Sequence, residues 1–168
     1  MYSKWLKIVI AMDFVVDFQC FKSIGNNYIV KELSVVRIHG DKEMHFLLKP
    51  PQPYFTLTPQ MKKRVNFLTR HIHGLRWDSG ELDSDDVLAY VADVLNLCAN
   101  TVYIKGSERV KFMENMLHPR IVVRDLDHFM DDCDTTVKVK CENHVNKTKR
   151  CSLSKALSYK AWLLTHGY

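Results

Sequence analysis

"MDFVVDFQCFKSIGNNYIVKELSVVRIHGDKEMHFLLK", residues 12–49, decides the fold. It opens on β-branched and aromatic residues, the side chains that pack well on a pleated surface. Strand alternation puts Asp13, Val15, Asp17 and Gln19 on one side and Phe14, Val16, Phe18 and Cys20 on the other. "SIGNN" (23–27) and "HGDK" (39–42) are turn sequences, and the runs at 28–38 and 43–49 are extended again. Two short turns joining three extended runs imply an antiparallel meander.

"PPQPYF" (50–55) breaks this pattern. Thr58 and Pro59 then open a helix over 59–72, with Met61, Val65, Leu68 and Ile72 at helical spacing and a stop near His73-Gly74. After an acidic loop, Ser84-Asp85-Asp86 caps a second helix through Ala99. A strand over 101–105, a helix over 107–117 capped by Ser107 and a strand over 120–126 follow. Residues 129–144 read as irregular or partly extended. The helix over 152–164 shows Leu153, Leu157, Ala161 and Leu164 on one face. Helical crossovers return strands in parallel. The prediction is an α/β protein: a mixed five-stranded sheet, three antiparallel strands then parallel strands, with helices on both faces. At 168 residues it should be a single domain with a core over about 13–164.

A content of 46% hydrophobic and 26% charged residues excludes general disorder. The net charge of +5 permits a nucleic-acid partner without requiring one. "MYSKWLKIVIAM" (1–12) has a short apolar run, no small-residue cleavage site, and runs straight into Asp13. No segment approaches the roughly 20 apolar residues of a membrane span. The expectation is an intracellular protein, cytoplasmic or nuclear and not secreted, with no membrane partner. There the "NKT" sequon at Asn146 carries no meaning, and clustered Cys and His suggest metal before disulfide.

"CENHVNKTKRC" (141–151) is such a cluster. The short spacing lets Cys141 and His144 grip one ion from a turn, and Cys151 can approach from a helix start, where the dipole favours a thiolate. Two thiolates with imidazole suit zinc. The fourth ligand would be His73, His71 or Cys133, with Glu108 a weaker candidate. The competing reading is an ordinary polar loop. A four-ligand, cysteine-rich site is closed, so the zinc would be structural and would pin residues 133–151 to the sheet edge. Cys20 and Cys98 sit in apolar runs and read as core. Basic residues group at Lys62-Lys63-Arg64, at Lys147, Lys149 and Arg150, and at Lys155 and Lys160. Lys147, Lys149, Arg150 and Lys155 could hold the phosphates of single-stranded RNA or DNA, with Trp77 and Tyr54 as stacking rings. Against this stand solvated charge, most strongly for the first helix, and aromatics that belong to the core.

The order of elements, with Asp17 on the first strand, resembles the ribonuclease H-like fold and its 3′–5′ exonuclease branch. That resemblance implies an Asp-x-Glu on the first strand, an Asp after the fourth strand, and a His and an Asp around the last helix, together holding two divalent ions. Here Asp17 is kept. Gln19 replaces the Glu, Val110 or Lys111 stands at the next position, and Cys151 and Lys155 stand at the last two. Mg²⁺ or Mn²⁺ would matter only if nuclease activity survived, because Mg²⁺ needs carboxylates to offset its dehydration. Cys141-x-x-His144 followed by Cys151 before the last helix resembles the Maelstrom domain, an exonuclease-like fold with a Glu-Cys-His-Cys zinc site. "RHIHGLRW" (70–77) falls where that domain places its Glu and a nearby His, and in this chain offers His71 or His73. "DFQ", "KPP", "HGLRW" and "IKG" are also similar to insect proteins of the same layout with no established activity. The resemblance implies a catalytically degenerate exonuclease-like domain with a Cys/His zinc site, binding RNA or single-stranded nucleic acid. Two alternatives remain at this point: an active nuclease using Asp17 or the zinc, and a protein-interaction scaffold.

Overall fold

β1 (Met12–Lys22) pairs antiparallel with β2 (Tyr28–Arg37), and β2 pairs antiparallel with β3 (Glu43–Leu47). The computed structural model describes residues 12–130, 136–145 and 151–168. β4 (Ala99–Ile104) runs parallel to β1, and β5 (Val122–Asp125) parallel to β4. The sheet order is β3-β2-β1-β4-β5, a mixed five-stranded sheet of the expected kind. The helices are α1 (Pro59–His71), α2 (Ser84–Cys98), α3 (Ser107–Met116) and α4 (Ser152–Thr165).

Alternation along β1 builds two cores. Phe14, Val16 and Phe18 pack with Val91 and Leu95 of α2 and Met113 of α3. Val15 and Tyr103 pack on the opposite face with Leu153, Ala156, Tyr159 and Leu163 of α4. A third cluster joins Phe21 to Met61 and Val65 of α1 and to Trp77. Helices therefore cover both faces, and β1 and β2 are buried along most of their length. Among the described residues no helix is long and apolar enough to cross a membrane.

Local chemistry sets the helix ends. Thr58 accepts a hydrogen bond from the Met61 N–H at 3.2 Å, with Pro59 at the first helical position. α2 is capped by Asp83 rather than Ser84: its carboxylate accepts from the Asp85 and Asp86 N–H groups, adding a negative charge at the positive end of the helix. α3 has no side-chain cap, and Ser107 lies inside it. The buried stripe of α4 also differs from the expected one. Leu164 is 43% exposed and Ala161 faces solvent, while Ser152, Ser154 and Ser158 are buried. Those hydroxyls replace apolar contact with hydrogen bonds. Ser154 and Ser158 accept from the Val139 and Val137 N–H groups at 3.0 Å each, and Ser152 lies 2.7 Å from the Ser34 hydroxyl. A hydropathy pattern cannot register a serine that is buried because it is bonded.

The register between β1 and β2 slips once: Gln19 faces Glu32 but Cys20 faces Val30, which leaves Lys31 as the extra residue of a bulge. Its side chain is fully buried and its ammonium donates to the carbonyls of Leu48, Trp77 and Ser79 at 2.6, 2.9 and 2.5 Å. Burial lowers its pKa to about 8, so it still carries its proton at neutral pH. Three carbonyls from two separate loops thus converge on one donor. Lys31→Met keeps the apolar stem and removes that donor, and is expected to cost about 2–3 kcal/mol, read as a lower urea midpoint with unchanged slope. An unchanged midpoint would contradict the clamp.

Candidate metal centre

Glu32 and Ser34, two residues apart on β2, share one face by strand alternation, and both bond Ser152 at the start of α4. Ser34 is directly opposite His45 on β3, which brings His45 and Glu32 together on one face. Cys151 is the residue before the first turn of α4, and the Ser152 N–H at that helix start donates to Glu32 Oε2 at 2.8 Å. With Oε2 held there, Oε1 faces His45 Nε2 at 2.9 Å, His144 Nε2 at 3.0 Å, and the sulfurs of Cys141 and Cys151 at 3.8 Å each. Ligand atoms of Glu32, His45, Cys141 and Cys151 all lie within 4.8 Å of one another. A tetrahedral zinc shell with ordinary Zn–N and Zn–S bonds places its donors about 3.3–3.8 Å apart, so this Glu/His/Cys cluster could hold a metal ion.

The interior is strongly coupled. Against the penalty of burial, hydrogen bonds from His144 and His45 hold Glu32 down to about 2. Also against burial, Cys151 and Glu32 raise His45 to about 9 and His144 to about 10. Cys151 is lowered by the two rings, whereas burial pushes the Cys141 thiol up. Without metal, protons therefore bridge the acids and the imidazoles, and these are the protons an ion would displace.

His144 has its tautomer fixed from outside. Its Nδ1–H donates to the carbonyl of His73, which leaves Nε2 directed at the cluster. The 73–75 segment grips this loop twice more: Leu75 bridges to His144, and the Gly74 carbonyl accepts from the Val145 N–H at 2.7 Å. Gly74 has φ 71°, a backbone conformation that favours glycine. "HGLRW" thus acts through its backbone.

The structure brings together Cys141, Cys151 and His144 of the expected ligands. His73 lies nearby but is turned elsewhere. Its Nδ1 accepts from the Leu75 N–H at 3.0 Å, its ring stacks edge-on against Phe21, and its Nε2 has no hydrogen-bond partner among the described residues. Burial lowers its pKa to about 4, so it stays neutral. His71 sits on α1 beside Phe67. Glu108 is exposed and paired with Lys22 at 2.6 Å. Cys133, Lys147, Lys149 and Arg150 lie outside the described residues. Sequence reasoning missed Glu32 and His45. A signal for Glu32 existed: a carboxylate within the apolar run "IVKELSVV", on a strand buried on both faces, has no place unless it is paired. His45 carried no such signal.

Asp17 and Gln19 lie on the same face of the sheet as Glu32 and are buried, at 0% and 4% exposure. Asp17 Oδ1 accepts from Arg109 of α3 at 2.8 Å, and the charge of Lys155 also bears on it. Burial raises the pKa of Asp17, with Arg109 opposing. Asp17 Oδ2 and Gln19 Nε2 have no hydrogen-bond partner among the described residues. Asp13 instead caps the β1–β4 irregularity, accepting from the Thr101 N–H at 3.0 Å. Trp77, expected as a stacking ring, is 3% exposed and donates to the Gln52 carbonyl at 2.7 Å, so it belongs to the core.

No family model matches this sequence, and no curated protein matches it.

Proposed function

We propose that this chain is a zinc-braced, catalytically silent domain of the ribonuclease H-like, exonuclease-like kind that binds single-stranded nucleic acid. One observation carries the reading: donors from β2, β3, the 141–144 loop and the start of α4 converge on Glu32 Oε1. Zinc suits two sulfurs with imidazole and carboxylate, whereas Mg²⁺ and Ca²⁺ take oxygen. Cys141, His144, Cys151 and Glu32 reproduce the Glu-Cys-His-Cys composition that the Maelstrom-domain resemblance implies, with the acid supplied by β2 rather than by the end of α1. His45 is the imidazole of the group whose ligand atoms lie within 4.8 Å of one another, and His144 approaches Glu32 Oε1 beside it at 3.0 Å, so the protein offers five donors. With every position filled by protein the ion is structural, and it ties the C-terminal third to the sheet.

The pairing of Asp17 with Arg109 supports catalytic silence. A guanidinium bonds one of the two Asp17 oxygens and sets a positive charge beside the carboxylate, and Gln19 adds no charge. Labelled single-stranded RNA and DNA are expected to bind and remain uncut with Mg²⁺, Mn²⁺ or Zn²⁺. Cleavage abolished by Asp17→Ala would overturn the silent reading, and no binding even at low salt would favour a protein-interaction scaffold.

Elemental analysis of the purified protein is expected to give about one zinc per chain. Cys141→Ser, Cys151→Ser and His144→Ala should lose it. His73→Ala should keep it, because His73 supports His144 through a carbonyl that every residue has. Loss of zinc in His73→Ala with retention in Glu32→Gln would exchange the roles assigned to these two. Because the ion must displace protons from His45, His144 and the thiols, its affinity should fall at least tenfold from about pH 8 to about pH 6, read by competition with a chromophoric chelator.

A further inference from the structure

Resting on the strand-binding reading above, we infer that the single strand lies along α1, across the groove between this helix and the Tyr54 turn, and not in the former catalytic cleft around Asp17. α1 carries Lys62, Lys63, Arg64 and Arg70 and has no acidic residue. Its inner face is spent on the core through Met61 and Val65. Its outer face holds a large apolar residue with no core role: Phe67 is 56% exposed, and nearby Phe55 is 78% exposed.

A hollow of about 630 Å³ is lined by Tyr54, Lys62, Lys63, Phe67, Arg70 and His71. Tyr54 and Asn66 also line a second hollow of about 520 Å³, which continues past Arg76 toward Asp78. The Tyr54 hydroxyl donates to Asn66 Oδ1 at 3.0 Å, so the wall between the two hollows is fixed. Lys62 lies over the Tyr54 ring at 5.7 Å and donates to the Phe55 carbonyl at 3.1 Å, which sets its ammonium at the groove edge. Among the described residues no carboxylate lines the larger hollow.

The larger hollow sets cations without a carboxylate around an exposed ring, which suits a polyanion with flat apolar faces, while the second hollow ends at Asp78, whose carboxylate accepts from the Tyr54 N–H at 2.9 Å. A duplex keeps its base faces stacked inside, whereas a single strand offers them, so stacking on Phe67 and phosphate contacts from Lys62 and Lys63 fit a single strand. Around Asp17 the cations are already engaged with a buried carboxylate.

The test is fluorescence anisotropy of the full chain with labelled oligouridine, oligothymidine and a duplex, across a salt series. The unmodified protein is expected to prefer the single strands. Lys62→Glu/Lys63→Glu should weaken that binding at least tenfold and flatten the salt slope by about 1.4. Phe67→Ala should weaken it about tenfold with the slope unchanged, because stacking releases no counterions. Lys63 and Phe67 are exposed and Lys62 is half-buried at the groove edge, so the circular dichroism spectrum and Tm are read beside the binding to show that the fold is kept. If the unmodified chain binds strands and these variants bind equally well, the groove is wrong while strand binding stands. Loss confined to reversal of Lys147, Lys149 and Arg150 has the same meaning. If the unmodified chain binds no strand at low salt, both proposals fail. Tighter capture by phosphatidylserine vesicles than by either strand, lost in the same variants, overturns the inference in favour of a lipid surface.

Discussion

Cys151→Ser is expected to abolish zinc binding and to lower stability by about 4 kcal/mol, a fall in Tm of roughly 8–16 °C for a chain of this length. The size follows from what the cluster holds. Residues 136–145 have little apolar anchorage: Val139 and Cys141 are only partly buried against the α4 core. They are otherwise fastened by hydrogen bonds to the serines of α4 and to the 73–75 segment. An ion bonded at once to β2, the loop and the start of α4 removes the freedom of all three, and that free energy enters folding directly. The substitution also leaves Glu32 buried among two imidazoles with one sulfur fewer. Chelation of the unmodified protein should bring its Tm close to that of Cys151→Ser. Cys20→Ser is the matched control: its thiol is pushed up to about 11 by burial and lies outside the cluster, so zinc content should remain at one. A Cys151→Ser protein that keeps both its metal and its Tm would refute the proposed centre.

Arg109→Ala carries the second large effect, about 3–5 kcal/mol of destabilisation at neutral pH. Asp17 is fully buried, and Arg109 is its hydrogen-bonding cation. Removing the guanidinium leaves a carboxylate with neither oxygen bonded by a side chain in the described structure. The sign of the pH dependence separates this from lost packing. Burial raises the folded-state pKa of Asp17 above its unfolded value, and loss of Arg109 raises it further. The folded state then binds the extra proton, so stability falls as pH rises through the interval between the two values. The deficit of Arg109→Ala should therefore be smaller in acid than at higher pH. Asp17→Asn/Arg109→Met should recover most of the loss, since a buried ion pair replaced as a pair costs little. A deficit that does not change with pH would mean that Arg109 matters for packing over Phe18, where its guanidinium lies 4.6 Å from the ring centre.

The sheet was legible because alternation and turn chemistry agree along residues 12–49, and α1 and α2 because cap and period agree. The proposed site was half legible. Cys141, His144 and Cys151 lie within eleven residues, so their chemistry is visible as spacing. Glu32 and His45 stand more than ninety residues away from them. Nothing along the chain named a partner for Asp17: the resemblance bore on Val110 or Lys111 only as the place of an expected acid, and the residue that reaches Asp17 is Arg109 of α3.

By itself the sequence determined the strands, the helices, their order and the soft sulfur–nitrogen character of the tail, because each of these is a matter of neighbours along the chain. Tertiary structure decided which acid joins the thiols, which cation covers Asp17, and why α4 buries serines. The pairing of Ser34 with His45 and of Gln19 with Glu32 sets which side chains share a face. Register is a relation between strands, and no single strand contains it.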